Sequence, residues 1–457
     1  MVRPMSTADH ATHRYERNIA GQVRRLRRRA LTERLRQSLL FLPMVLLCSA
    51  IGVEQLLAAA DREWALPGAL TVDLHPDAAI TLLSTIAGAT ITTAGVVFSL
   101  LVVSLQLASG QFSPRVLRTF WRDRFGQVLI GLLLATFAFC VLALTQVDTS
   151  AERAPALTIA AALVLAVASV IAIVAYLNRI TQQQYVGQIL ERIAGESLAL
   201  VCSLPYGPND EDRVGDPVPR PDVTALGEPF VVRARTSGWV QQISHVAVLA
   251  AVPPGATIRL ETRVGGFLAA GAPLAAIWPA PGPAASPRAG TIVNRAVIVG
   301  VSRTMQQDID FGLRQLNDVA LRALSPAVND PTTAIEVILR VSTVIRALLH
   351  ADLPAQAVRD PSGRVLLTPY ELDHAEYVVH AFEQLRRYAA PHPQVVLALV
   401  RTLQMLHELC TRPGGCQHRE AAVAALAQML TATVDCAAAA GLTDDEMAPI
   451  RAAAAGG

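Results

Sequence analysis

The chain contains no lysine, so its basic residues are all arginines. Without lysine it cannot form a Schiff base through a side-chain amine or supply the phosphate-binding lysine of a P-loop. It also has no attachment point for biotin or lipoate. The absence of this one residue type therefore excludes several groups of enzymes and carrier proteins.

Charge of either sign is scarce. Charged residues make up 17% of the 457 residues and hydrophobic residues 52%. Soluble domains carry roughly 25% charged residues, so the composition predicts a membrane-embedded part. The length allows two or three domains. The net charge of +2 does not indicate a nucleic-acid partner.

Catalytic motifs are missing as well. The sequence has no G-x-S-x-G, no H-E-x-x-H and no glycine pattern of the Walker or Rossmann type. The six cysteines show no framework of the secreted type, and no cleavable signal peptide precedes the first apolar run. We therefore predict no enzymatic activity and no cofactor.

Long apolar runs are present, and they predict a multi-pass membrane protein. A helix needs about 20 apolar residues to cross the ~30 Å hydrocarbon core of a bilayer. The candidate spans are residues 39–59, 78–108, 127–147 and 155–177. They form a predicted four-helix transmembrane domain at 39–178.

Arginines between the spans predict the orientation. Several precede the first span, and another group lies between the second and third spans. These two groups are Arg24, Arg25, Arg27, Arg28, Arg29, Arg34 and Arg36, and Arg115, Arg118, Arg122 and Arg124. The other two loops have only Arg62 and Arg153. The positive-inside rule then places both termini in the cytoplasm.

The basic N-terminal segment, residues 1–38, predicts an amphipathic juxtamembrane helix. Its arginines are suited to anionic lipid headgroups, each worth about 1 kcal/mol. Nucleic-acid binding is the alternative, which the adjacent span disfavours. The predicted partners are therefore the lipid bilayer and its anionic lipids, without nucleic acid.

The rest of the chain is predicted to be cytoplasmic. Residues 179–229 suggest a helix and a proline-rich linker, 230–280 a small β module, and 300–445 a helical domain. Val264, Gly265, Leu268, Gly271 and Leu274 have the spacing of lipoyl-like barrel-sandwich modules. Without a lysine, the module cannot act as a swinging-arm carrier. DPSG, residues 360–363, predicts a hairpin.

The predicted fold class is thus a multidomain membrane α + β protein. It combines a four-helix transmembrane domain, a small β barrel-sandwich-like module and a helical cytoplasmic domain.

The second span carries an unusual polar stripe. Small or polar residues share one face of the predicted helix, within roughly 80° of one another. They are Thr81, Ser84, Gly88, Thr92, Gly95, Ser99 and Gln106. One interpretation is close helix packing through small residues. The other is the lining of a water-filled pathway, which would require a homo-oligomer because four spans rarely enclose a pore.

Glu54 is the carboxylate that lies well inside a candidate span. Ionisable residues there are functional candidates by default. Its position near the predicted outer end of the first span favours an interfacial location.

The segment at 303–334 forms a second candidate site. Asp310, Arg314, Asp318 and Arg322 alternate in sign at helical spacing and predict an ion-pair ladder. Ser325-Pro326 ends this helix, and Asp330 with Pro331 begins the next. The interpretations are a structural junction, or a ligand or interface site. The candidate residues are Arg314, Asp318, Arg322, Ser325, Asn329, Asp330, Thr332 and Thr333.

This segment, with SLLVVSLQLASGQFSPRVLRTFWRDRFG at 99–126, resembles a bacterial membrane-protein family catalogued as domain of unknown function 2254. The resemblance extends from the first span to about residue 410, and SGWVQ at 237–241 fits its middle part. It implies a multi-pass protein of the bacterial inner membrane and a shared design around Gln111–Arg115 and 322–334. It implies no catalytic residues.

Two hypotheses follow, apart from a disfavoured enzyme. The first is an oligomeric channel or transporter with a cytoplasmic gating or assembly domain. The second is a membrane-anchored sensor or scaffold that binds a ligand or partner at 303–334. A zinc site at His407, Cys410, Cys416 and His418 is disfavoured by its spacing.

Overall fold

The computed structural model describes residues 40–63, 75–111, 124–148, 154–183, 186–204, 215–282, 285–412, 416 and 419–456. These residues divide into two compact units. We call 40–183 the helical unit and 186–456 the mixed unit, and describe each by itself. The predicted helix at 1–38 and most of the arginines that predict orientation lie outside the described residues.

The helical unit consists of four long helices: α1 (Phe41–Glu63), α2 (Pro76–Gln111), α3 (Arg124–Gln146) and α4 (Ala156–Gln183). α1 and α2 both pack against α3 and α4. Leu83, Phe139 and Ala162 form one part of the core, and Leu129 and Tyr176 belong to another. These apolar runs bury one face against one another, as packed helices do.

Asp61, near the end of α1, fixes the start of α4. Its carboxylate accepts hydrogen bonds from the backbone amides of Leu157 and Thr158, both at 3.0 Å, and from Thr158 Oγ1 at 2.7 Å. The first amides of a helix have no partner within the helix, so a carboxylate there stabilises it. α1 and α4 are therefore joined at this end.

Large apolar side chains cover the outside of the helical unit. Met44, Leu56, Phe98, Val164 and Ile171 are exposed, together with others on all four helices. A contiguous apolar exterior of this kind marks a membrane or protein contact. Each helix contains an uninterrupted apolar stretch long enough to cross a bilayer.

A fifth helix, α12 (Glu420–Ala439), also satisfies the length and composition of a span. It belongs to the mixed unit, where it packs against α10 (His374–Ala389) and α11 (Pro393–Thr411). Its exposed side is small or polar and includes Gln428, Thr431 and Asp435. The structure thus has five candidate spans where the sequence predicted four.

The mixed unit contains two sheets. The larger has strand order β1-β8-β9-β4-β6-β2, and the smaller β5-β3-β7. The strands are β1 (Asp216–Pro217), β2 (Phe230–Arg233), β3 (Gly238–Ile243), β4 (Thr257–Leu260), β5 (Phe267–Leu268), β6 (Pro273–Trp278), β7 (Val297–Gly300), β8 (Ala357–Arg359) and β9 (Val365–Leu367).

The β module is broader than the sequence predicted. The hairpin at 360–363 is confirmed, because β8 and β9 pair antiparallel on either side of it. β9 then pairs parallel with β4. The larger sheet thus draws strands from outside 230–280, and the described strands form two open sheets without a closed barrel. The barrel-sandwich expectation therefore holds only as far as a mixed β module.

Helices make up the rest of the mixed unit. Besides α10, α11 and α12 they are α5 (Val186–Cys202), α6 (His245–Leu249), α7 (Ser286–Ala296), α8 (Ile309–Ala323), α9 (Pro331–His350) and α13 (Asp444–Ala454). α8 is central and packs on α5, α9 and α10. At Gly312 the approach to α5 is so close that a β-carbon would overlap Ser197 Oγ.

Candidate functional site

The polar stripe of α2 lies on the outside of the helical unit. Its members, Thr81, Ser84, Gly88, Thr92, Gly95, Ser99 and Gln106, are all exposed. A β-carbon added at Gly88 or Gly95 would meet nothing within 4 Å. The opposite side of α2, which includes Leu83, Ala94 and Val97, is buried. Packing between helices of one chain therefore does not use the stripe.

Hydroxyls of the stripe are turned towards their own helix. Thr81 Oγ1 donates to Asp77 O at 2.8 Å, and Thr92 Oγ1 donates to Gly88 O at 2.8 Å. These bonds satisfy the hydroxyl protons and leave oxygen lone pairs facing outward. Such a surface suits either a second helix or a hydrated path.

Glu54 is completely buried in the helical unit. Its Oε2 accepts a hydrogen bond of 2.9 Å from Gln55 Nε2. Ala50 and Leu57, one helical turn to either side, pack against an apolar cluster. The carboxylate expected at an interface thus lies within the helix packing.

A group of buried charges lies at the start of α8, and we call it the Asp310 cluster. Its members are Arg263, Arg303, Asp308, Asp310, Arg314 and His380. They come from the turn between β4 and β5, the loop after β7, α8 and α10. Because these elements are distant in sequence, only the tertiary fold brings the charges together.

Asp310 is the centre of the cluster, with a side chain only 1% exposed. Its Oδ1 accepts from His380 Nδ1 at 2.8 Å, and its Oδ2 accepts from Arg303 Nη2 at 2.9 Å. Arg314 Nε lies 3.4 Å and Arg263 Nη2 3.8 Å from the same Oδ2. Burial opposes ionisation, but the hydrogen bonds from His380 and Arg303 hold the pKa of Asp310 well below its usual range.

Arg303 and Asp308 form the buried base of the cluster. Arg303 Nε and Nη2 each donate to Asp308 at 2.7 Å, in the two-pronged geometry typical of arginine and carboxylate. Asp308 also caps α8, because its carboxylate accepts from Phe311 N at 2.9 Å. Gly265 presses on this pair, since a β-carbon there would overlap Asp308 Oδ2.

Glu371 and Tyr377 lie beside the cluster. Burial, opposed by the charge of Arg263 and reinforced by that of Asp308, raises the pKa of Glu371 to about 7. Burial also raises the pKa of the Tyr377 phenol, and nearby carboxylates add to it. Perturbed groups gathered in one place indicate a functional site.

The structure separates the predicted residues of the 303–334 segment into two places. Arg314 belongs to the Asp310 cluster, whereas the other candidates lie towards or beyond the far end of α8. Those are Asp318, Arg322, Ser325, Asn329, Asp330, Thr332 and Thr333. A helical rise of 1.5 Å per residue places the two groups well over 10 Å apart along α8.

Asp330 caps α9, as its position before Pro331 predicts. Its carboxylate accepts from Thr333 N at 3.1 Å and from Thr333 Oγ1 at 2.6 Å, and these bonds lower the pKa of Asp330. Asn329 adopts a left-handed conformation with φ of 48°. The anion position at this helix start is filled by the protein's own carboxylate.

Sequence reasoning missed Arg263, Arg303, Asp308, His380, Glu371 and Tyr377. Two signals were available. Asp308 stands three residues before Phe311, the spacing of a helix cap. His380 interrupts the apolar positions of α10, which include Val378 and Phe382. Neither signal names the partner, because partners so far apart in sequence are selected by packing.

The zinc candidates are arranged differently from a metal site. Cys410 and Cys416 form a disulfide, whereas zinc is bound by thiolates. His418 lies outside the described residues. Among the residues that the structure describes, no group of three or more His, Cys, Asp or Glu is arranged to hold a metal ion.

Comparison with known proteins places the whole arrangement in a family. Residues 36–405 match the family described as Predicted membrane protein (DUF2254). Uncharacterized proteins of Mycobacterium bovis and of Mycobacterium tuberculosis strain H37Rv are each 37% identical to this chain over 332 residues. The match covers 71% of this chain and 62% of each relative, so the chain spans less than two thirds of their length. No solved structure matches.

Proposed function

This chain belongs to the DUF2254 family of predicted membrane proteins, and from that premise we propose that it forms an oligomeric channel or transporter. The α2 helices of several copies would meet around a shared path. The mixed unit would assemble or gate that path from the cytoplasm. The observation that carries the proposal is the exposure of the entire α2 stripe.

The membrane arrangement forms part of the proposal. We place α1 to α4 across the bacterial inner membrane with both termini in the cytoplasm, on the distribution of arginines. α12 is proposed to remain in the cytoplasm, because large apolar residues cover α1 to α4 while its own exposed side has Gln428 and Asp435. The β module is proposed to retain the turn geometry of a barrel-sandwich around Gly265 and Gly271, each with positive φ.

The argument for an oligomer is one of surface chemistry. Lipid chains offer no hydrogen bonds, so hydroxyl and amide groups facing lipid are disfavoured. A copy of the same chain, or water, can satisfy Thr92, Ser99 and Gln106. Gly88 and Gly95 allow a neighbouring backbone to come close. We propose no nucleic-acid partner and no enzymatic activity, and a partner role for anionic lipids at the basic N-terminal segment.

The test is current across a bilayer containing the purified protein, under voltage and then under tension. The double variant Thr92→Leu, Ser99→Leu should abolish discrete currents, since leucine removes the hydroxyls and narrows the path. Thr93→Leu is the matched control: its hydroxyl makes the same bond, to Ala89 O at 2.8 Å, on another side of α2. Silence from folded, oligomeric wild-type protein, or equal currents in the double variant, would overturn the proposal.

A sensor or scaffold is the second candidate. Half-exposed Arg314 and His380 in the Asp310 cluster favour it, because charged groups at the edge of a buried site can recognise a ligand. Silent bilayers combined with specific binding to the mixed unit would select this function.

A further inference from the structure

The cations of the Asp310 cluster outnumber its permanent anions. Arg263, Arg303 and Arg314 face Asp308 and Asp310. Arg303 is spent, because it holds both carboxylates and is only 9% exposed. The surplus of positive charge therefore resides on Arg263 and Arg314.

These two arginines have donors to spare. Arg314 makes one long contact, from Nε to Asp310 Oδ2 at 3.4 Å, and its side chain is 39% exposed. Arg263 donates from Nη1 to Val264 O at 3.3 Å and lies 3.8 Å from Asp310. A guanidinium carries five N–H donors, so most of those on each arginine face outward.

His380 completes the group. Its Nδ1 is held by Asp310 at 2.8 Å, which directs the ring and leaves Nε2 on the half-exposed side. Two guanidinium groups and this ring nitrogen therefore converge on one buried carboxylate from different elements. Planar forks of this kind match the oxygens of phosphate.

We propose that Arg263, Arg314 and His380 form a binding site for a phosphate group. The ligand is a phosphate-bearing molecule, either a soluble phosphate compound or a lipid headgroup. The phosphate lies over the Asp310 cluster and ties the β4–β5 turn to α8 and α10. Asp310 positions the three cationic groups and does not itself contact the ligand.

The consequence for the protein is a ligand-strengthened junction. Arg263 is the member of the cluster contributed by the turn between β4 and β5, and its link to α8 is the longest at 3.8 Å. A phosphate held jointly by Arg263 and Arg314 would shorten the connection between the sheets and the helices. Only the further step, that this junction gates a membrane path, rests on the proposed function.

The test uses the full chain in detergent and titrates inorganic phosphate by calorimetry, with chloride at equal ionic strength as the blank. We expect saturable binding with one site per chain. Arg263→Gln and Arg314→Gln should each weaken it roughly tenfold or more, the equivalent of a charge-assisted hydrogen bond. Arg346→Gln, an exposed arginine on α9, is the matched control and should bind as the wild type does.

A second ligand distinguishes the sources. Short-chain phosphatidic acid is titrated in parallel, and preference for it over inorganic phosphate, lost in Arg314→Gln, identifies a lipid headgroup. Arg314→Lys keeps the charge but loses the fork, so it should recover binding only in part.

Absence of saturable binding by either probe would overturn the proposal, as would an equal loss in Arg346→Gln. Unchanged thermal unfolding of the variants separates loss of the site from loss of the fold. Because no flux is measured, silent bilayers would leave this result standing, and its failure would leave the channel proposal intact.

Discussion

The α-carbon of Gly265 lies directly against the carboxylate of Asp308. A β-carbon built at Gly265 would overlap Asp308 Oδ2 and lie 2.7 Å from Arg303 Nη2. The turn between β4 and β5 is therefore seated on the buried ion pair that begins α8. Absence of a side chain permits this contact, which joins the sheets to the helices.

Replacement of this glycine should destabilise the protein more than its backbone conformation alone requires. Gly265 and Gly271 have nearly the same φ, 81° and 83°, but Gly271 has open space around it. Gly271→Ala should cost about 1–2 kcal/mol for the left-handed conformation. Gly265→Ala should cost roughly 1–3 kcal/mol more for the overlap. Equal shifts in chemical unfolding of the two variants would contradict the contact.

A second glycine pair tests the packing of α8 on α5. At Gly312 a β-carbon would overlap Ser197 Oγ and lie 2.9 Å from Met305 Cε, whereas at Gly195 it would meet nothing within 4 Å. Gly312→Ala should destabilise by about 1–3 kcal/mol through overpacking. Gly195→Ala, in the same helical context, should stabilise by up to about 1 kcal/mol. Thermal unfolding of both variants decides whether the helices approach as closely as described.

The Asp61 cap gives a prediction for the helical unit. Asp61→Ala removes the acceptor of the Leu157 and Thr158 amides and should lower stability by about 1–2 kcal/mol. Asp61→Asn retains an acceptor oxygen and should lose less. Unfolding in detergent followed by circular dichroism measures both. If the two variants behaved alike, the charge and not the cap would be responsible.

Local features could be predicted from the sequence. The spans follow from apolar runs, the hairpin at 360–363 from its turn residues, and the α9 cap from Asp330 before Pro331. Each depends on neighbours a few positions apart. The mixed β module was foreseen, but not the parallel pairing of β4 with β9, whose residues Thr257 and Val365 come from distant parts of the chain.

The Asp310 cluster could not be predicted for the same reason. Asp310 was expected to pair with Arg314 one helical turn away, and it does. Its shorter bonds go to Arg303, seven residues earlier, and to His380, seventy residues later. A ladder along one helix is visible in the spacing of charges, whereas a partner on another helix is decided by how the helices pack.

Glu371 should make stability depend on pH around neutrality. Burial raises its pKa from 4.5 to about 7, so the folded protein disfavours its ionised form. The groups that face it are Arg263, Asp308 and Tyr377, with Arg303, Asp310, Arg314 and His380 around them. Its contribution is fully present below its ordinary pKa and is lost as pH rises through about 7.

Glu371→Gln isolates this contribution, because glutamine imitates the neutral carboxyl at every pH. The free energy of unfolding is measured by denaturant titration between about pH 5 and pH 8. Buried His245, whose pKa is lowered to about 4, acts in the opposite direction, since its contribution is lost as pH falls, but it is common to both proteins. The wild type should therefore lose stability relative to Glu371→Gln as pH rises through about 7. Exposed Glu420→Gln should parallel the wild type, and a Glu371→Gln curve that does so too would show that Glu371 ionises as freely in the folded protein as in the unfolded chain.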